Sequence, residues 1–239
     1  MIPDNVAALW VYLAERPLTW LTVTVAAYAV ADQIALRLRR HPLVNPVVIA
    51  AILVILALWF TATPFPTYFE GAQFVHFLLG PATVALAVPL VENWQVVRRS
   101  AAPIAAALAV GATVAVVSTV ALGYAFGLPR DVLVSLAPKS VTTPIAMGIA
   151  SELGGIPPLT AVLVISTGVI GAILVTPLMN ALRVKDMAAR GFAAGVAAHG
   201  IGTARAFQVD PLAGAFAGIG MALNGAMTAL IVPLLLGLL

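Results

Sequence analysis

The chain has 239 residues, 62% of them hydrophobic and 9% charged, with a formal charge of +3. A soluble domain carries roughly 25% charged residues, so this composition excludes an ordinary water-soluble fold and identifies an integral membrane protein. Its basic residues form short clusters between apolar runs, which reads as membrane topology and not as a nucleic-acid surface, while the absence of cysteine removes disulfides, thiolate metal sites and cysteine nucleophiles.

At about 20 residues per span, this length holds roughly seven or eight transmembrane helices and no sizeable extramembrane domain. The expectation is an all-α polytopic membrane protein, a single membrane domain over residues 1–239. The first residues include Asp4 and Glu15 and lack a basic stretch before an apolar core, so no cleaved secretory signal is expected. The first apolar run, Leu18 to Leu36, carries Asp32 and reads as a peripheral first helix within residues 1–40. Leu43 to Phe60 follows and opens on Asn45-Pro46; Phe74 to Val91 comes next, with Glu70 and His76 read as interfacial. Arg98 and Arg99 then precede Ala101 to Phe126.

The fifth run, Val132 to Ile149, contains Pro138, Lys139, Ser140, Thr142, Thr143 and Pro144 in an otherwise apolar sequence. In hydrocarbon an unpaired backbone group costs several kcal/mol, so irregular backbone survives only where protein or a water-filled cavity satisfies it. This is the pattern of a broken membrane helix. Pro144 suits an early position of a half-helix running to Ile149, with Thr142 or Thr143 capping its free amides. A helix N-terminus inside the membrane, with Lys139 beside it, is a site for a small anion. The plainer alternative is that Lys139 snorkels to an interface while the prolines kink a span. Glu152, with Gly154-Gly-Ile-Pro-Pro158, reads as a surface loop or else as a coupling carboxylate.

After the sixth run, Leu159 to Leu182, come Arg183, Lys185 and Arg190. The seventh, Ala188 to Phe207, reads Ala198-His-Gly-Ile-Gly-Thr-Ala-Arg205 at its centre. Here Gly200 and Gly202 allow close approach of a backbone or ligand, Thr203 adds a hydroxyl, and Arg205 offers a guanidinium suited to bidentate carboxylate binding. His199 titrates near neutrality when unperturbed and is the candidate for proton coupling. The competing readings are a helix-end Arg205 facing lipid phosphates and a His199 that merely packs. In the eighth run, Leu212 to Leu239, Asn224 offers an amide to a substrate or across helices, and Gly214, Gly218 and Ala222 have small-residue packing spacing.

Gly80-Pro-Ala-Thr-Val-Ala-Leu-Ala-Val-Pro-Leu90 aligns with Gly168-Val-Ile-Gly-Ala-Ile-Leu-Val-Thr-Pro-Leu178, each followed by a basic loop. Aligning Asn45-Pro46 with Thr143-Pro144 as well requires a gap of ten positions. This weak repeat suggests units over residues 41–127 and 131–239 in an inverted-repeat transporter with two discontinuous helices. Strict alternation of all eight runs gives that symmetry but places Arg183 to Arg190 opposite Arg37 to Arg40 and Arg98 to Arg99, against the positive-inside tendency. A re-entrant Pro138 to Pro144 segment would restore the charge rule. Strict alternation is preferred, because the rule weighs the first loops most.

Walker-A, G-x-S-x-G and H-E-x-x-H patterns are absent, and no two of the nine carboxylates take catalytic spacing within a span. The chain is not expected to be an enzyme, and no cofactor or metal is expected.

Pro138-Lys-Ser-Val-Thr-Thr-Pro-Ile-Ala-Met147, Gly154-Gly-Ile-Pro-Pro-Leu-Thr-Ala161 and Ala198-His-Gly-Ile-Gly-Thr-Ala-Arg205 together resemble the LrgB/CidB family of bacterial membrane proteins. The likeness runs from about Asn45 through the Pro233 segment. Where many relatives have an acidic residue just after Ile-Ala-Met, this chain has Gly148, so a proton role for that carboxylate does not transfer. The resemblance implies a protein encoded beside a smaller LrgA/CidA-like membrane partner, described as antiholin-like or holin-like and tied to murein hydrolase activity and lysis. It equally implies likeness to the C-terminal half of the plant plastidal glycolate/glycerate translocator, and to pairs associated with pyruvate movement. A lesion-forming protein has no need of two spans broken around cations. The residues therefore favour a carrier in which Lys139, Ser140, Thr142, Thr143, Pro144, Gly200, Gly202, Thr203, Arg205 and Asn224 bind a small monocarboxylate and His199 or Glu152 carries a proton. A bacterial inner-membrane location, a homodimer and no nucleic-acid partner complete the expectation.

Overall fold

The computed structural model describes residues 16–41, 44–78, 81, 91 and 94–237, and every regular element among them is helical. Two compact units, residues 1–85 and 86–239, divide the chain. The aligned segment Gly80 to Leu90, apart from Pro81, and the side chain of His76 lie outside the described residues, as do Asp4 and Glu15.

The first unit holds α1 (Pro17–Arg37), α2 (Pro46–Phe60) and α3 (Phe65–Phe77). Pro17 and Pro46 open their helices, where the missing N–H has no intrahelical partner to lose, and Asn45 caps α2 by accepting from Val47 N at 2.9 Å. Trp20 is completely buried and meets Tyr68 edge-on at 5.9 Å. Asp32 pairs with Arg40 at 3.1 Å across the helix end. Trp59 and Phe60 are about three-quarters exposed, an apolar surface of the kind that lipid covers.

The second unit contains α4 (Trp94–Arg99), α5 (Ala101–Ala125), α6 (Arg130–Leu136), α7 (Thr143–Glu152), α8 (Pro157–Ala181), α9 (Met187–Val209) and α10 (Pro211–Leu236). With α1, the helices α5, α8 and α10 are the four long and apolar enough to cross a membrane among the described residues. At 1.5 Å per residue, 25 or 26 residues reach about 37–39 Å, which exceeds a hydrocarbon core of about 30 Å. Ile104 and Leu108 of α5 meet Leu212, Phe216 and Ile219, while Val116 and Val120 meet Val232 and Leu236, so α5 and α10 run parallel.

Between these crossings the chain turns back twice. Ser135 Oγ accepts from Ile156 N at 2.7 Å, and Val134 and Ala137 pack with Ile149 and Leu153, so α6 and α7 form an antiparallel hairpin with its tip at residues 138–142. Helix α9 is broken at Ala198 (φ −132°, ψ 18°) and His199 (φ 41°, ψ −134°). Its arms fold together, which brings Ala194 against Ala206. The first arm lies parallel to α10, Gly191 touching Ala213 O and Gly195 touching Ala217 O. The second returns along it, with Thr203 at Met221 and Phe207 at Gly214.

The fifth and seventh apolar runs thus reverse where strict alternation expected crossings. The reason lies in the backbone: prolines remove donors in one, and a positive-φ residue ends the helical ladder in the other. Helix α8 runs antiparallel to the first arm of α9, Thr176 at Arg190 and Gly171 at Ala198, and so antiparallel to α10. Consequently Arg98 and Arg99 before α5 fall on the same end of the unit as Arg183, Lys185 and Arg190 after α8. One hairpin enters from the opposite end and the other from this basic end.

Candidate functional site

Asn224 stands at the midpoint of α10 and is fully buried. Its amide nitrogen donates to Val196 O at 3.0 Å, just before the break in α9, and to Ser140 O at 3.2 Å, in the tip of the α6–α7 hairpin. Ser140 Oγ lies at 3.4 Å from the same nitrogen. Chain breaks leave carbonyls that no helix satisfies, and in a membrane these require another donor. One side chain supplies it to both tips.

The tip of the first hairpin is a run of tight turns, Lys139 N donating to Leu136 O at 3.2 Å and Val141 N to Pro138 O at 3.2 Å. Helix α7 then starts with Pro144 in its second position, as its fixed φ favours. The capping expectation is corrected for Thr142: its side chain, at the N-cap position, makes no cap hydrogen bond, and one of the two amides such a cap would serve is missing because Pro144 has no N–H. The amides of Thr143 and Ile145 therefore stay outside the ladder.

In the second tip, His199 occupies a backbone region that favours glycine. Its ring Nε2 lies 2.9 Å from Val164 O, and because a carbonyl only accepts, Nε2 carries the proton. Thr203 Oγ1 donates to His199 O at 2.8 Å and closes the first turn of the returning arm. The ring fits because residue 168 is glycine, where a Cβ would stand 2.6 Å from both His199 Cε1 and Nε2. Gly202 is equally constrained, its Cβ position 2.5 Å from Ala194 O across the hairpin.

Two half-helix N-termini, at Thr143 and Gly200, thus flank one turn of α10. Ile145 reaches Gly225, and Gly200 and Thr203 face Met221. Their partial positive ends favour an anion between them.

The sequence-predicted residues divide accordingly. Ser140, Asn224, His199, Gly202 and Thr203 come together at the meeting tips, with Thr142, Thr143, Pro144 and Gly200 beside them. Lys139 Nζ donates to Thr119 Oγ1 on α5, which itself donates to Ala115 O at 2.6 Å. Arg205 is not brought to Lys139: six residues past the break, its Nη1 donates to Gln208 Oε1 at 3.4 Å, and it lines a cleft with Arg190. Glu152 is exposed at the last position of α7, at the hairpin base. Sequence reasoning missed Thr119, Val164 O, Val196 O, Gly168 and Arg190. The backbone acceptors carry no sequence signal, and Arg190 is indistinguishable from a topology charge until α9 folds back.

Residues 24–238 match the model of the LrgB-like family. The uncharacterized protein YxaC of Bacillus subtilis is 34% identical over 218 residues, covering 91% of this chain and 94% of that protein. The holin-like protein CidB of Staphylococcus epidermidis is 31% identical over 216 residues, 90% of this chain and 94% of its own length. That of Staphylococcus aureus is 31% identical over 221 residues, covering 92% and 96%. No solved structure matches the chain.

Proposed function

The chain belongs to the LrgB-like family of membrane proteins, and from that premise we propose that it is a multi-pass carrier of small monocarboxylates such as pyruvate or glycolate in a bacterial inner membrane. The observation that carries the reading is Asn224 joining two re-entrant tips that enter from opposite ends. Opposed broken helices that meet at a midplane site are a transporter device. In this proposal Ser140, Thr203 and the amides after Thr142 and His199 bind the carboxylate. Lys139 supplies the nearby charge, His199 exchanges a proton, and Glu152 takes it up at the surface. Residues 130–181 and 187–236, each a hairpin followed by a crossing, form an inverted pair in this proposal. The basic end faces the cytoplasm.

A second reading is a holin-like protein acting with an LrgA/CidA-like partner or as a homodimer. The names of the relatives favour it, and none of those names supports carboxylate transport. Uptake of labelled pyruvate and glycolate into proteoliposomes, with and without a pH gradient, separates the two. Saturable uptake lost in Lys139→Ala and Asn224→Ala supports the carrier. Unsaturable release of large unrelated solutes, equal in all variants, supports the holin-like role.

A further inference from the structure

Helix α7 is 10 residues long and so rises about 15 Å. It begins beside Gly225, next to the midpoint of α10, and ends at Glu152, a length that matches half of a hydrocarbon core of about 30 Å. One face of it is open along that whole depth. Pro144, Ile145, Gly148, Ser151 and Glu152 are exposed, while Ala146 and Ala150 are buried. At about 100° per residue the five exposed positions fall within an arc of about 120°, with the two alanines on the opposite side.

A helix face that borders lipid carries large aliphatic side chains, as α8 does with Val162, Ile165, Ile170, Leu174 and Leu178. On the open face of α7 only Ile145 is of that kind. Gly148 is not a packing glycine either, since a Cβ there would meet nothing within 4 Å, whereas at Gly168, Gly171 and Gly191 it would stand within 2.6 Å of a neighbour. Ala222 and Ala226 of α10, on either side of Gly225 in the chain, are exposed and small as well. A bare glycine backbone, a hydroxyl and a carboxylate gain nothing from hydrocarbon and are satisfied by water. At the inner end of the face lie the amides of Thr143 and Ile145 and, in the tip itself, Lys139, so the field along it favours an anion moving inward. Glu152 stands at the mouth, where bulk water and salt screen its charge.

We infer that this face is a water-lined entry path, along which a small monocarboxylate reaches the hairpin tips from the end opposite the basic cluster. The carboxylate rests on the carrier reading, whereas the water does not.

Single cysteines in the full chain, which has none of its own, test it in proteoliposomes with impermeant methanethiosulfonates. Thiolate is the reactive form and apolar surroundings suppress it, so Gly148→Cys and Ser151→Cys react at least about tenfold faster than Ile165→Cys and Leu174→Cys on the exposed face of α8. They react from the side opposite to Lys185→Cys. At Ile145→Cys the sulfonate reagent is about tenfold faster than the trimethylammonium one, each scaled to its rate with a free thiol. Rates at 148 and 151 as slow as the α8 controls overturn the path, and equal scaled rates at 145 overturn the anion. Pyruvate slows labelling of Ile145→Cys and spares Ser151→Cys. If it slows neither while both still react, the water path stands and the carboxylate is overturned, which tells failure of the carrier reading apart from failure of the path.

Discussion

Replacing Asn224 by alanine leaves Val196 O and Ser140 O buried without their donor. A buried polar group stripped of its partner costs about 1–3 kcal/mol, so two cost about 2–6 kcal/mol. Polar contacts measured inside membranes run smaller, about 0.6 kcal/mol on average and up to about 1.7, which gives about 1–3 kcal/mol for the pair. The overlap sets the expectation at about 2–3 kcal/mol. Reversible unfolding in mixed micelles titrated with dodecyl sulfate reads it directly. Thr228→Val is the control, because its 3.5 Å contact to Asn224 Oδ1 is too long to contribute much. Asn224→Asp should fall below Asn224→Ala, since an introduced carboxylate meets two carbonyl oxygens. A loss under about 0.5 kcal/mol in Asn224→Ala, equal to the control, refutes the claim that this amide holds both tips.

The chain has no cysteine, so single cysteines report topology cleanly. Cysteines at Arg99 and Lys185 should react with an impermeant maleimide from one face and a cysteine at Glu152 from the other; the reverse for Lys185 and Glu152 restores strict alternation. Gly168→Ala puts a methyl 2.6 Å from the His199 ring, and overpacking of this kind costs about 1–3 kcal/mol. Thermal unfolding should show that loss, and a change under about 0.5 kcal/mol would deny the close packing. His199→Gly removes a backbone outlier worth about 1–3 kcal/mol and a hydrogen bond worth about 0.5–1.5 kcal/mol. Stability should therefore hold or rise while pH-gradient-driven uptake is lost, and a variant that keeps gradient-driven uptake removes His199 from proton exchange.

The membrane class was legible from composition, and the break at Pro138 to Pro144 from two prolines beside a lysine. The reversal of α9 was not. The glycines around His199 read as a broken span that still crosses, and the turn back is enforced only by tertiary partners: Val164 O for the ring, the missing side chain at Gly168, and the Asn224 amide on Val196 O. The same cause misdirected Arg205. In a broken span that crosses, its position past His199 suggests a shared site with Lys139, whereas the fold-back places it in a cleft with Arg190. Charge placement pointed the right way: grouping Arg183, Lys185 and Arg190 with Arg98 and Arg99 requires the re-entrant path that strict alternation set aside.

The centre where the tips meet is closed, with Ser140, His199, Thr203 and Asn224 each no more than 4% exposed. A solute can pass there only if the tips part, and parting them breaks the bonds that Asn224 makes. At about 2–3 kcal/mol the parted state would hold roughly 0.6–3% of the molecules, a population that a bound substrate or a proton gradient can raise without unfolding anything. A permanently open lesion has no use for such a closure; a carrier depends on it. Asn224→Ala should accordingly leak pyruvate from preloaded vesicles in the absence of any gradient, several-fold faster than the wild type, while losing accumulation against one. If the variant leaks no faster and still accumulates, the closure lies elsewhere and the two tips are scaffold.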